Sequence, residues 1–277
     1  MLVKMILSYA KFVLKREIAF FKDLKEKTGV GFAEYYGLSI LSNKNNTSLF
    51  KKPIRVADAF WHVHSLNELF VDEIYKLKIN TPNPYILDCG SNVGLSILYF
   101  KSHFPLAKIV GFEPDPAIFD MMKYNLSNHD YKNIELVNKA VWTENGKLFF
   151  NATGALGGAL DLNQSAEVNN KVEVATVRLR DYLLNEKVDL LKIDVEGAEF
   201  EILDDCLDVL YNVDNIFIEY HRPRGGSQAI GSYLTKLEDA GFRLYIKEAW
   251  NNLPHPFRYD DYSPMYDLQL NIFGFKK

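Results

Sequence analysis

Tyr85-Ile86-Leu87-Asp88-Cys89-Gly90-Ser91-Asn92-Val93-Gly94 is the stretch on which the fold is decided. A short run with an apolar start, too brief for a helix, meets two glycines four residues apart, and helical spacing of apolar residues then resumes from Gly94 to His103. A strand that turns through glycines into a helix is the opening unit of an α/β sheet, and its turn is the crevice in which such sheets bind ligands. Outward from it, Lys108 to Glu113 and Ile134 to Asn138 read as the second and third strands. Val188 to Asp194 and Asn215 to Glu219 read as the fourth and fifth, and Phe242 to Lys247 follows. Amphipathic stretches between them predict crossover helices and a parallel sheet. In Asp267 to Phe273, Leu268, Leu270 and Ile272 alternate with Asp267, Gln269 and Asn271. This seventh strand is reached by a loop rather than a helix, so it must return antiparallel. Between the third and fourth strands, Ala140 to Val177 contains alternating segments at Lys147 to Asn151 and Val172 to Val177, which predict a hairpin excursion.

The remaining chain bounds the partners. Its 277 residues are 48% hydrophobic with a formal charge of -4, enough to bury a substantial core. With 36 acidic against 32 basic residues it has no cationic excess to neutralise phosphates, so nucleic acid is not an expected partner. Cys89 and Cys206 form no metal-binding or disulfide pattern, which points to a reducing, cytoplasmic setting. Thr81-Pro82-Asn83-Pro84 breaks the pattern and divides a helical N-terminal cap, residues 1–80, from a domain over 81–277. Phe60 to Leu77 carries helical spacing within that cap, whereas Leu38 to Thr47 reads less clearly. At the start, Met1 to Leu14 is apolar but interrupted by Lys4 and Lys11, far short of the roughly twenty residues needed to cross a bilayer. Lys4, Lys11, Lys15 and Lys22 fall on one helical stripe opposite Ile6, Val13, Phe20 and Leu24. Such a helix docks on its own core, on a second subunit as a homo-oligomer, or peripherally on an anionic membrane.

In the turn itself, Gly90 and Gly94 admit close backbone approach to a ligand. Asp88 sets a negative charge before the helix, and the spacing is Gly-x-x-x-Gly rather than the Gly-x-Gly-x-x-Gly of a dinucleotide site, so a cationic ligand fits better than a pyrophosphate. Glu113, at the end of the second strand, stands where an acid accepts ribose hydroxyls, a reading that spacing and strand context favour over its merely terminating the strand before Pro114. The run Asp88 to Gly94, Gly111-Phe112-Glu113-Pro114-Asp115, Ala140-Val141 and above all Asp189-Leu190-Leu191-Lys192-Ile193-Asp194-Val195-Glu196-Gly197-Ala198-Glu199 resemble the motifs of FkbM-type methyltransferases. Leu69 to Tyr75 is similar to the short helix that precedes the catalytic domain in that family, and the resemblance extends to Phe273. It implies an S-adenosylmethionine-dependent O-methyltransferase of the seven-stranded, Rossmann-like class, often acting on sugars or glycans. It further implies that Asp88, Gly90, Ser91, Asn92 and Gly94 surround the methionine part of the cofactor, that Glu113 takes the ribose, and that Ala140 and Val141 line the adenine. An ordinary strand accounts equally well for the last pair.

The strand ends hold the candidates for chemistry. Asp194 closes the fourth strand, and Glu219 and His221 close the fifth, so the two acids should meet on the ligand side of the sheet with the imidazole beside them. Neighbouring like charges require a cation, and three are available: the sulfonium of the cofactor, a divalent metal held by Asp194, Glu219 and His221, or Lys192 and Arg222. A satisfied ion-pair network is the plain alternative. His221, titrating near neutrality, is the expected base for an acceptor hydroxyl. Arg222 and Arg224, in a glycine-bearing loop, are candidates to engage the acceptor, as are Trp250 and Tyr259 in an aromatic insertion suited to sugar rings. The expected activity is methyl transfer to a hydroxyl of a sugar, glycan or glycosylated small molecule. An NAD(P)-dependent oxidoreductase and a noncatalytic cofactor-binding scaffold are the alternatives.

Overall fold

The structure, a computed structural model, describes residues 2–40, 46–151, 159–160, 171–226 and 229–276. It contains two compact units: residues 1–77 with 121–130, and residues 78–120 with 131–277. Among the described residues, no helix is long and apolar enough to cross a membrane.

The first unit contains helix α1 (Leu2–Thr28), helix α2 (Phe32–Ile40), an antiparallel hairpin of β1 (Asn46–Leu49) and β2 (Lys52–Arg55), and helix α3 (Ala59–Leu66). Sequence pattern does not anticipate the hairpin, because each strand is only four residues long and Pro53 lies within the second. Its register is fixed by side chains: Glu34 accepts from Thr47 Oγ1 and the Ser48 amide, and Asn125 pairs with both the amide and carbonyl of Arg55. Leu24, Leu38, Leu49, Ile54 and Leu66 form the buried part. The expected inward face of α1 is met at Leu24; the side chains of Lys4, Ile6 and Val13 lie outside the described residues. Asp58 caps α3 by accepting from the Trp61 amide at 3.0 Å, an N-cap of the kind typically worth about 1 kcal/mol.

The second unit carries a seven-stranded sheet. Its strands are β3 (Tyr85–Cys89), β4 (Lys108–Phe112), β5 (Ile134–Val137), β10 (Val188–Ile193), β11 (Val213–Pro223), β12 (Arg243–Trp250) and β13 (Tyr266–Phe275), in the order β12-β13-β11-β10-β3-β4-β5. The strands β5, β4, β3, β10 and β11 run parallel, and β13 is antiparallel to both β11 and β12, as expected for a strand reached without a crossover α-helix; its connection carries only a 3-10 segment, Pro256–Asp261. Helix α4 (Leu95–His103) follows β3, and α5 (Pro116–Ser127) follows β4. Helices α6 (Leu179–Asn185), α7 (Glu199–Cys206) and α8 (Ile230–Asp239) complete the unit. Every residue of β3 is buried, so the strand shows no alternation between buried apolar and exposed polar residues; Asp88 is its one charged side chain. Leu87, Leu191, Ile193, Ile202, Leu203 and Ile218 share one core, and Cys89 and Cys206 lie in it as free, buried thiols.

The excursion after β5 forms its own four-stranded sheet of β6 (Ala140–Trp142), β7 (Gly146–Asn151), β8 (Ala159–Leu160) and β9 (Lys171–Arg178), ordered β6-β9-β7-β8. The expected hairpin is present as the antiparallel β7–β9 pair; residues 152–158 and 161–170 within it lie outside the described residues.

Candidate functional site

The carboxyl ends of β3, β4, β10 and β11 meet along one edge of the sheet. After β3 the backbone turns through left-handed conformations at Gly90 (φ 84°), Asn92 (φ 48°) and Gly94 (φ 89°) before entering α4. Gly90 is required there by the protein itself. A Cβ on it would collide with the carbonyl of Asp194, whose own amide donates to the Cys89 carbonyl at 3.0 Å. The expected reason, close approach of a ligand, is thus joined by closure of the β10 end over the turn.

Asp88 is fully buried. Its Oδ2 accepts from Ser96 Oγ at 2.5 Å, and its Oδ1 lies 3.2 Å from Lys192 Nζ. Lys192, also buried, donates to the Gly90 carbonyl at 2.9 Å and stands 3.2 Å from Asp194 Oδ2. A cation that is itself removed from water ties the turn to the end of β10, an arrangement that holds only because several oxygens surround it. Of the three cation sources open in the sequence, Lys192 is therefore already engaged.

Glu113 follows the last residue of β4 and is buried. Its Oε2 accepts from the Asn92 amide at 3.0 Å and its Oε1 from the Asp115 amide at 2.9 Å. Burial pushes its carboxyl up to about 8, against the lowering effect of those two backbone bonds. Each oxygen keeps a lone pair for a further donor. Ser91 is buried in the turn, with its hydroxyl donating to the Asp88 carbonyl. Ala140 and Val141 are buried in β6, and Val141 belongs to the main core.

His221 lies near the end of β11, on a stretch that outruns its neighbour β10. Its Nδ1 meets Glu199 Oε1 at 3.1 Å, with both side chains buried, while its Nε2 lies 3.4 Å from Glu219 Oε1 and 3.5 Å from Glu196 Oε2. Asp194, Glu219 and His221 each place a ligand atom within 4.8 Å of the others, so the three residues expected to converge do so. Burial opposes the imidazolium, yet Glu196, Glu199 and Glu219 outweigh it and raise the histidine well above its ordinary value. The surrounding acids thus favour the protonated form of the imidazole. Burial likewise raises Asp194, and raises Glu196 to about 8. Glu196 sits in a left-handed conformation (φ 59°) of the kind found where a functional loop is over-determined by its surroundings.

Three members of this cluster receive no role in it from the sequence reading: Glu196 and Glu199, which stand in the quoted motif, and Tyr266 of the aromatic segment. Glu199 reaches back from the start of α7 to accept from the Gly197 amide at 3.0 Å while holding His221, so it shapes the loop and fixes the imidazole together. Tyr266 donates to Glu196 Oε2 at 3.0 Å and packs its ring 5.1 Å from that of His221. One signal was available: Asp194, Glu196 and Glu199 crowd six residues at a strand–helix turn and require a basic partner from elsewhere.

The acceptor candidates are spread further. Arg224 lays its guanidinium 4.7 Å from the Tyr259 ring centre and donates to the Tyr262 carbonyl. Tyr259 in turn directs its hydroxyl at Asp267 Oδ2, 3.5 Å away, so these two side chains brace the 256–267 segment. Arg222 lies against Gly226 with its Nε buried and lacking a hydrogen-bond partner. Trp250 is exposed at the end of β12 and pairs in register with Gln269, which pairs with His221 across β13.

A left-handed glycine turn after the first parallel strand, a buried acid after the second, and an acid–histidine cluster beside an inserted antiparallel strand define a class I methyltransferase architecture. Residues 88–244 match the Methyltransferase FkbM domain, and the chain belongs to that family. Methyltransferase sdnD of Sordaria araneosa is 32% identical over 213 residues, covering 64% of this chain and 80% of sdnD. The 2-O-methyltransferase NoeI of Sinorhizobium fredii (strain NBRC 101917 / NGR234) is 27% identical over 160 residues, covering 51% of this chain and 65% of NoeI. Among solved structures, Methyltransferase FkbM from Methylobacillus flagellatus KT matches with a TM-score of 0.48 at 12% identity, over 93% of this chain and 59% of that one.

Proposed function

We propose that the protein transfers a methyl group from S-adenosylmethionine to a hydroxyl of a sugar, glycan or glycosylated small molecule. The observation that carries this reading is the His221 cluster, an oriented imidazole among carboxylates at the same sheet edge as the glycine turn. The residues suit the cofactor: Glu113 is a buried carboxylate with lone pairs to spare for two ribose hydroxyls, and the acids at the ends of β10 and β11 favour a cationic ligand. S-adenosylmethionine supplies the methyl group, activated on a positively charged sulfur.

The chain's own part is placement and proton handling. Holding the acceptor oxygen in line is worth up to about 7–11 kcal/mol. Glu199 fixes the His221 ring, and the acceptor hydroxyl gives up its proton to a carboxylate oxygen of Glu219, which lies 3.4 Å from His221 Nε2, a contribution typically of about 10²–10⁴-fold. Oxygen as the receiving atom agrees with the 2-O-methyl transfer named for the NoeI relative; the sugar class rests on the resemblance and on the exposed Trp250, in register with His221 across Gln269 of β13.

Calorimetry tests the cofactor, with saturable heat expected from S-adenosylhomocysteine and none from NAD; the reverse would assign an oxidoreductase. Incubation of methyl-labelled cofactor with glycan extracts tests the transfer. Cofactor binding with no label in any extract would assign a scaffold. A chelator tests the metal: labelling that survives it would leave the cluster to its own acids and imidazole, and loss of activity restored by a divalent ion would place a metal at Asp194, Glu219 and His221.

A further inference from the structure

Within the first unit, α1 carries a surface that neither packing nor the proposed reaction uses. Its lysine stripe, which sequence spacing presents as a polar face, is interleaved with aliphatic side chains: Leu14 and Ile18 are each 60% exposed, between the exposed Lys11, Lys15 and Lys25. At 100° per residue these five occupy about a third of the helix circumference, and Glu17, Asp23 and Glu26 all fall outside that arc. The apolar strip continues from the helix to Phe32, whose ring meets that of Phe21 edge to face at 4.9 Å and which is itself 60% exposed.

Charge is segregated along the chain in the same sense. Leu2–Thr28 holds seven basic residues against three acidic ones, in a protein whose total charge is -4. We propose that this face of α1 docks on the surface of an anionic lipid bilayer. Leu14, Ile18 and Phe32 enter the boundary between headgroups and acyl chains, and Lys11, Lys15 and Lys25 extend their stems to reach lipid phosphates. A second copy of the chain fits this face poorly, because a two-fold contact is self-complementary and would set one lysine-bearing face against another.

Each lysine near an anionic surface strengthens binding by about fivefold, so the docking is strongly sensitive to salt. The test is flotation of the full chain with vesicles of phosphatidylcholine alone or with about a third phosphatidylglycerol. The protein should float with the anionic vesicles only. Lys11→Glu/Lys15→Glu should weaken that association by about 25-fold or more, and Leu14→Ser/Ile18→Ser should abolish it. All four positions are exposed, and retained binding of S-adenosylhomocysteine verifies that both variants fold. Absence of flotation, or equal flotation with neutral vesicles, would overturn the proposal. So would light scattering showing a dimer that Leu14→Ser/Ile18→Ser converts to monomer, which would assign the face to a second copy.

Discussion

At the end of β4 a single carboxylate, Glu113, is buried against two backbone amides, whereas at the ends of β10 and β11 four carboxylates crowd one imidazole. Burial raises an acid to about 8 in both places, at Glu113 and at Glu196. What relieves it differs. Around Glu113 the compensation comes from fixed N–H dipoles that cannot move a proton, which suits holding neutral hydroxyls. Around Glu196 it comes from groups that exchange protons with one another, so the cluster can receive a proton without any one member becoming an isolated buried charge. The contrast separates a binding carboxylate from a proton-handling set within one sheet edge.

Removing the imidazole strikes the proton-handling end hardest. His221→Ala should lower kcat by about 10²–10⁴-fold while leaving the affinity for S-adenosylhomocysteine within a few fold, read by labelled methyl transfer and calorimetry on the same preparation. Near-normal turnover would show that the crowded end is an ion-pair network. Next comes the hinge between the two ends. Gly90→Ala combines a left-handed backbone with a collision against Asp194 and should cost about 2–5 kcal/mol of stability, measured by urea unfolding. The solitary acid is expected to show the converse of His221. Glu113→Gln should weaken S-adenosylhomocysteine by about 5–150-fold, the loss of roughly 1–3 kcal/mol in buried hydrogen bonding, with kcat at saturating cofactor nearly unchanged.

How much of this was legible depends on whether the signal was local. The strand Tyr85–Cys89 coincides with its expected limits, because an apolar run bounded by a proline and a glycine is written in consecutive residues. The antiparallel return of β13 was legible because a loop connection leaves no other direction. The regular part of the fifth strand was read over Asn215 to Glu219, with His221 at its close, and the strand runs from Val213 to Pro223, its last residues held by pairing with β13 rather than by their own pattern. That extension positions His221, so the convergence of Asp194, Glu219 and His221 was legible while the surroundings that set the histidine's charge were not. Glu199 and Tyr266 come from α7 and β13, and nothing in the spacing of either points toward His221. Lys192 reads as a polar interruption in a buried strand; its role appears only when β3 and β10 lie side by side.

The smallest effect separates the two ends by pH. Glu196 has a folded-state value of about 8 against an unfolded value near 4.3, so between those limits the native protein binds more protons than the unfolded chain. Stability therefore falls as pH rises through that window. His221 adds to the trend, because its raised value contributes stability that is complete below about 6.5 and is lost as pH climbs through the folded value. Glu196→Gln cannot ionise, so it should stabilise the protein at pH 8 relative to wild type by on the order of 1 kcal/mol once solvent screening is allowed for. At pH 5 the advantage should nearly vanish, because wild-type Glu196 is already protonated in the native state. Thermal unfolding at the two pH values checks this. Because Glu196 also anchors Tyr266 and faces His221, the same substitution should shift the pH profile of kcat, whereas Glu113→Gln should leave it in place. A shared shift in both variants would mean that the two ends titrate as one system.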